Sequence, residues 1–170
     1  MFPTDTLYGL GCRPDDQAAI ERVHALKGRP RDKPSASMYF SLDAALAAHP
    51  GLATATRAAL ERLLPGPVLA VLPGGHGIRV PALDVPPAGA RVTVLQTSAN
   101  LSGGPDPPRL DDVPTSIREG ADLVLDGGVL PGIPSTVVDL SRYETGHWTM
   151  LREGAMPLPE LTNILGRSDR

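Results

Sequence analysis

One cysteine, Cys12, stands in the whole 170-residue sequence, which excludes an internal disulfide and any cysteine-only zinc site. Aromatic residues are also scarce, at 4%. The core must therefore be built from Leu, Val, Ile and Ala, and the stacking rings used to bind RNA are mostly missing. No run of about 18 apolar residues occurs, and no basic stretch precedes an apolar one at the start, so neither a membrane span nor a secretory leader is expected. The chain reads as soluble and cytoplasmic. Charge of one sign is lacking too: 16 Lys and Arg face 19 Asp and Glu, a net of -3. That excludes coating nucleic acid by bulk charge and leaves room for a local basic site. His24, His49, His76 and His147 show no metal-ligand spacing. There is no Gly-x-Ser-x-Gly elbow and no Walker loop.

What is present is ordinary globular composition, with 41% hydrophobic and 21% charged residues. The length suits one domain over 1–170 with a core that needs no staples. The 19 prolines and 18 glycines commit much backbone to fixed turns. Turns on a rigid scaffold are where binding residues concentrate.

The start, from Met1 to Gly11, is turn-rich and lacks a helical period. Helices are predicted over 16–26 with an acidic cap and Gly28 past its end, over 42–48 capped by Ser41, over 54–64, and over 159–165. Strands are predicted over 35–40, 68–72, 77–80, 91–95, 121–125, 136–140 and 147–152, the last after a hairpin around Glu144-Thr145-Gly146. The unbroken apolar run Val68–Leu72 suggests a strand covered on both faces. The fold class is mixed α/β (α+β), with more strands than helices.

Four segments carry possible chemistry. Lys27-Gly28-Arg29-Pro30-Arg31-Asp32-Lys33-Pro34 places four cations on a proline-stiffened loop at a helix end, which suits either a polyphosphate or the helix dipole. Gln96-Thr97-Ser98-Ala99-Asn100-Leu101-Ser102-Gly103-Gly104 follows an apolar strand with hydroxyls, an amide and paired glycines, the composition of an anion-binding turn or of a plain polar one. Pro134-Ser135-Thr136 brings hydroxyls to the start of a buried strand, and Pro3-Thr4-Asp5-Thr6-Leu7-Tyr8 groups hydroxyls with a carboxylate. Arg79 and Arg152 each stand at a strand end, where arginine is commonly a solvated charge.

Taken in order, these segments resemble the YrdC-like threonylcarbamoyl-AMP synthases, in the short single-domain form. The matching stretches are Pro3-Thr4-Asp5-Thr6-Leu7-Tyr8-Gly9-Leu10-Gly11-Cys12, Lys27-Gly28-Arg29-Pro30 with Lys33-Pro34, Pro65-Gly66-Pro67-Val68, Ile78-Arg79-Val80-Pro81, Thr97-Ser98-Ala99-Asn100-Leu101-Ser102-Gly103, Ser135-Thr136-Val137-Val138-Asp139 and Leu151-Arg152-Glu153-Gly154. The resemblance implies a twisted open mixed sheet with flanking helices around a concave cavity. It implies synthesis of L-threonylcarbamoyl-adenylate from L-threonine, bicarbonate and ATP, releasing pyrophosphate. The product serves the threonylcarbamoyl modification of the tRNA adenosine beside the anticodon, through separate transferase proteins downstream.

By that similarity, Lys27, Arg29, Lys33, Ser98, Asn100 and Arg152 would hold ATP, and Lys27 and Arg29 would stabilise its charge. Thr6, Arg79, Gln96 and Ser135 would hold L-threonine. No covalent nucleophile is implied, and Mg²⁺ is the expected companion of the triphosphate. The sequence departs from the family pattern in several places. It opens at Met1-Phe2, so that the family's first helix and strand are missing from it. Leu69 replaces a threonine, Met38 a histidine and Asp106 a small hydroxyl residue, and the stretch from Pro81 to Ala90 is short for the family's helix. A carboxylate at 106 repels phosphate. Two other readings are a double-stranded RNA-binding module, or a weak RNA contact, and a catalytically degenerate nucleotide-binding relative. A hydrogenase-maturation carbamoyl-transfer domain shares the fold but belongs to a much longer chain.

Overall fold

The computed structural model describes residues 1–30, 35–83 and 92–168. In chain order its strands are β1 (Phe2–Pro3), β2 (Tyr8–Cys12), β3 (Ala36–Tyr39), β4 (Val68–Val71), β5 (Gly77–Arg79), β6 (Thr93–Ser98), β7 (Thr136–Asp139) and β8 (Thr149–Arg152). Its helices are α1 (Gln17–Lys27), α2 (Leu42–Ala48), α3 (Thr54–Leu63), α4 (Thr115–Gly120) and α5 (Leu158–Leu165). The strands form one mixed sheet in the order β1-β2-β6-β3-β5-β4-β7-β8. The pairs β3–β5 and β4–β7 are parallel and the other pairs antiparallel.

Local chemistry sets the helix ends. The Ala19 N–H donates to the Asp16 carboxylate at 3.0 Å, and Gly28 closes α1 in the left-handed region at φ 57°. The Ala44 N–H donates to Ser41 Oγ at 3.1 Å and starts α2. Strand register then divides the sheet into two faces, because paired residues project to the same side and neighbours alternate. Arg79, Leu69, Val137 and Arg152 are successive cross-strand partners over β5, β4, β7 and β8. Gln96 is likewise the partner of Ala36. The alternate positions Ile78, Ala70 and Val138 are fully buried in an apolar cluster with Leu60 and Leu63 of α3 and Leu161 of α5. A second cluster joins Tyr8 and Leu10 to Val23 of α1 and Ile117 of α4.

Several expectations change. The start is not merely turns: Phe2 and Pro3 pair with Gly9 and Tyr8. β2 hides from its sequence because Gly9 and Gly11 weaken any strand signal. Both are glycine for room, since a Cβ on Gly11 would lie 2.6 Å from Val94 and one on Gly9 3.1 Å from the Gln96 amide. The segment 121–125 is not a strand. Its backbone bonds with Met1, Met1 N to Leu123 O at 2.6 Å and Leu125 N to Met1 O at 3.0 Å, and Pro3 has no N–H to extend that pairing. α4 is an additional short helix. β4 is not covered alike on both faces: Val68 and Ala70 are buried, whereas Leu69 faces a cavity. Residue 91, where the strand expected over 91–95 was to begin, and most of the stretch 81–90 lie outside the described residues. Among the described residues no helix is long and apolar enough to cross a membrane.

Candidate active site

The cross-strand row Arg79–Leu69–Val137–Arg152 forms part of the floor of a cavity of about 210 Å³. Thr6, Arg29, Gln96, Ser98 and Ser135 line the same cavity. Seven of the ten residues singled out from the sequence thus meet in one hollow, although they are spread from position 6 to position 152.

Arg79 is buried, at 5% exposure, and is not the solvated strand-end charge that its position suggests. Its Nη2 donates to the Asp5 carboxylate, to Thr6 Oγ1 at 2.7 Å and to Thr4 Oγ1 at 3.3 Å. The second oxygen of Asp5 accepts the Ala82 N–H at 3.0 Å. Burial pulls the Arg79 guanidinium below its ordinary value; Asp5 opposes that and the neighbouring Arg152 adds to it. The Thr4 hydroxyl donates to Leu7 O at 2.7 Å and accepts the Thr6 and Leu7 N–H groups, so Thr6 sits in a tight turn and not in an extended strand. Arg152 donates to Ser135 O from Nη2 at 2.8 Å. The buried side-chain atoms without a hydrogen-bond partner among the described residues include Ser35 Oγ, Arg79 Nε and Ser135 Oγ, and, away from the cavity, His24 Nδ1 and Arg118 Nε. The first three belong to residues lining the cavity. Unpaired buried polar atoms are costly, so three of them on the wall of one hollow suit a place that receives a polar ligand.

Lys27 and Asn100 are not in the cavity wall. Lys27, the last residue of α1, is only 3% exposed. Its ammonium donates to Ser98 O, to Asn100 O at 2.6 Å and to Asn100 Oδ1 at 2.9 Å. Asn100 Oδ1 also accepts the Ser98 hydroxyl at 2.7 Å, and its Nδ2 donates to Gly104 O at 2.7 Å. The Ser102 N–H donates to Lys27 O at 2.9 Å. The cationic loop and the hydroxyl-and-amide turn are therefore in direct contact, with Lys27 fixing the turn from beneath. Arg29 reaches the cavity, and its Nη1 donates to Thr97 Oγ1 at 2.8 Å. Burial lowers Lys27 to about 8, Arg29 pushes in the same direction, and Asp106 opposes both. Lys33 lies outside the described residues.

Sequence reasoning did not name Asp5 as the partner of Arg79, nor Ser35, Leu69 and Val137 as walls. The alternation of β4 and β7 held the signal for the last two, hidden by their uniformly apolar composition. Asp139, which shares a segment with Ser135, accepts the Ser141 N–H at 2.8 Å and closes β7 outside the cavity lining. Cys12 is a free, half-buried thiol held above its ordinary pKa by burial, as an inert residue should be. Among the described residues no three His, Cys, Asp or Glu side chains group closely enough to hold a metal ion. A metal at this site would need ligands beyond the described His, Cys, Asp and Glu side chains.

The arrangement resembles solved proteins. The crystal structure of Sua5 from Pyrococcus abyssi complexed with L-threonine superposes with a TM-score of 0.82 at 30% identity, covering 97% of this chain and 53% of that one. The Pyrococcus abyssi threonylcarbamoyl-AMP synthase is 30% identical over 182 residues, 97% of this chain and 53% of its own length. This chain thus spans about half of that relative. The Chromohalobacter salexigens threonylcarbamoyl-AMP synthase is 32% identical over 162 residues, 85% of this chain and 86% of its own length. The model of the Sua5/YciO/YrdC family, described as telomere recombination, matches residues 1–154. With the whole sheet and every wall of the cavity inside that match, the chain belongs to the Sua5/YciO/YrdC family.

Proposed function

We propose that this chain makes L-threonylcarbamoyl-adenylate from L-threonine, bicarbonate and ATP, with release of pyrophosphate. The observation that carries the reading is the single cavity into which Arg29, Arg79, Arg152 and three partnerless polar atoms converge. Relatives across most of this chain's length are named threonylcarbamoyl-AMP synthase, and one solved relative holds L-threonine.

L-Threonine is assigned to the floor formed by Thr6, Arg79, Gln96 and Ser135. Its carboxylate would take the unpartnered Arg79 Nε–H, and its hydroxyl and amine the Ser135 and Gln96 side chains. The β-methyl would rest on Leu69 and Val137. ATP is assigned to the side bearing Arg29, Ser98 and Arg152. Lys27 and Asn100 would act by shaping the 98–104 turn, and Lys33 would add a further phosphate cation. The threonine amine attacks the carbon of bicarbonate and water leaves, giving a carbamate. A carbamate oxygen then attacks the α-phosphorus and pyrophosphate departs. No residue forms a covalent intermediate. The chain's work is to align the reactants and to stabilise charge on the departing phosphates with fixed guanidiniums. Mg²⁺, when bound to the triphosphate, adds neutralisation of its oxygens. The adenylate would pass to separate transferase proteins that modify tRNA in the cytoplasm.

Pyrophosphate release tests the assignment. Release that needs L-threonine and bicarbonate together is expected. Release from ATP alone, or none with all three present, would overturn it.

A further inference from the structure

The cavity contains one carboxylate that no described cation pairs directly, Lys27 feeling its charge only through space. Asp106 lines it together with three arginines, yet no cation lies within salt-bridge distance of its carboxylate among the described residues. Each arginine is engaged elsewhere: Arg29 on Thr97, Arg79 on Asp5 and Arg152 on Ser135 O. The Lys27 ammonium is taken up by Ser98 O, Asn100 O and Asn100 Oδ1. Among the described residues the one hydrogen bond to Asp106 is a long contact of 3.3 Å from Asn100 Nδ2, which makes a much shorter bond of 2.7 Å to Gly104 O. Asn100 therefore holds its turn without needing Asp106.

A loosely held carboxylate beside a triphosphate is repulsive unless a cation stands between them. Mg²⁺ is commonly held by one or two carboxylates together with substrate phosphates and water, and does not require an all-protein cage. The hard oxygen donor is present, and the missing ligands are those that the phosphates would bring. We propose that Asp106 is this chain's ligand for the Mg²⁺ that arrives with ATP, so that the site selects the magnesium complex over free ATP. The proposal rests on the assignment of ATP to this cavity.

Calorimetric titration of ATP into the protein without L-threonine or bicarbonate, in EDTA or in excess Mg²⁺, tests it without turnover. For the natural chain, Mg²⁺ should strengthen ATP binding about tenfold or more. In Asp106→Asn that gain should fall to threefold or less, and magnesium-free ATP should bind more tightly than to the natural chain, because the repulsion is gone. An equal gain in both proteins would overturn the proposal. So would equal weakening of ATP in both buffers, which is the mark of a purely structural residue. Failure of the natural chain to bind ATP in either buffer would overturn the ATP assignment itself, and this inference with it. If Asp106→Asn does not fold, the natural chain still decides. With Mn²⁺-ATP bound to protein carrying ¹³C-aspartate, electron–nuclear double resonance should show a ¹³C coupling to the metal, and its absence would refute the ligand role.

Discussion

Asp5→Asn isolates the contact on which the cavity floor depends. The Asp5 and Arg79 side chains are 8% and 6% exposed, so water cannot replace a lost partner. Removing one member of a buried ion pair typically costs 3–5 kcal/mol, because the remaining charge stays buried and uncompensated. Here Thr4 and Thr6 still accept from Arg79, and an amide oxygen can still accept the Ala82 N–H. The expected loss is therefore at the lower end, about 3 kcal/mol. With a urea dependence near 2 kcal/mol per molar, the unfolding midpoint should fall by roughly 1.5 M. Adding Arg79→Met to Asp5→Asn should recover much of the loss, since the buried charge then disappears with its partner. A midpoint shift below about 0.3 M for Asp5→Asn, or a double variant worse than the sum of the singles, would show that the two groups are not coupled as described.

Further outcomes follow from other parts of the site. Arg29→Ala should lower pyrophosphate release by at least about a hundredfold, as expected for loss of a charge-stabilising group, while circular dichroism stays native; a collapsed fold would make Arg29 structural. Thr136→Val should cost about 2–4 kcal/mol in thermal unfolding. The Thr136 hydroxyl donates to Met156 O at 2.6 Å and accepts the Gly154 and Met156 N–H groups, and all of these would lose their partner. Lys27 gives a pH signature. It holds its proton up to about 8 in the folded chain but up to 10.5 in the unfolded one. Between those values the unfolded chain binds more protons, so the stability contribution of Lys27 is least favourable below pH 8 and rises towards 10.5. Urea unfolding from pH 7.5 to 10 should show the natural chain gaining on Lys27→Met, by at most about 1.4 kcal/mol per pH unit. Parallel pH dependences would contradict the buried, perturbed lysine.

Much of this architecture can be read from local chemistry. Asp16, Gly28 and Ser41 carry their capping role in their residue type, and α1 and α2 fall within a residue of where those signals place them. The cavity lining from Thr6 to Arg152 was legible as a set of segments. Their convergence was not, because it depends on which strands lie side by side. β2 was hidden by Gly9 and Gly11, which are small for the sake of Gln96, Phe2 and Val94, residues distant in sequence or outside the strand. The segment 121–125 has a strand's composition but, among the described residues, only Met1 to pair its backbone with. Lys27 reads as a surface cation because its three acceptors lie more than 70 positions away in Ser98 and Asn100. Asp5 is conspicuous only once Arg79 is seen to be buried.

The most direct test of the central claim, that one cavity joins L-threonine, bicarbonate and ATP, follows a carbon label. The purified chain would be incubated with L-threonine, Mg²⁺-ATP and ¹³C-bicarbonate, and the nucleotides examined by mass spectrometry. An adenylate carrying threonine and one ¹³C, formed in step with pyrophosphate, is the predicted result. AMP or ADP without that adduct, or an adduct without the label, would contradict it.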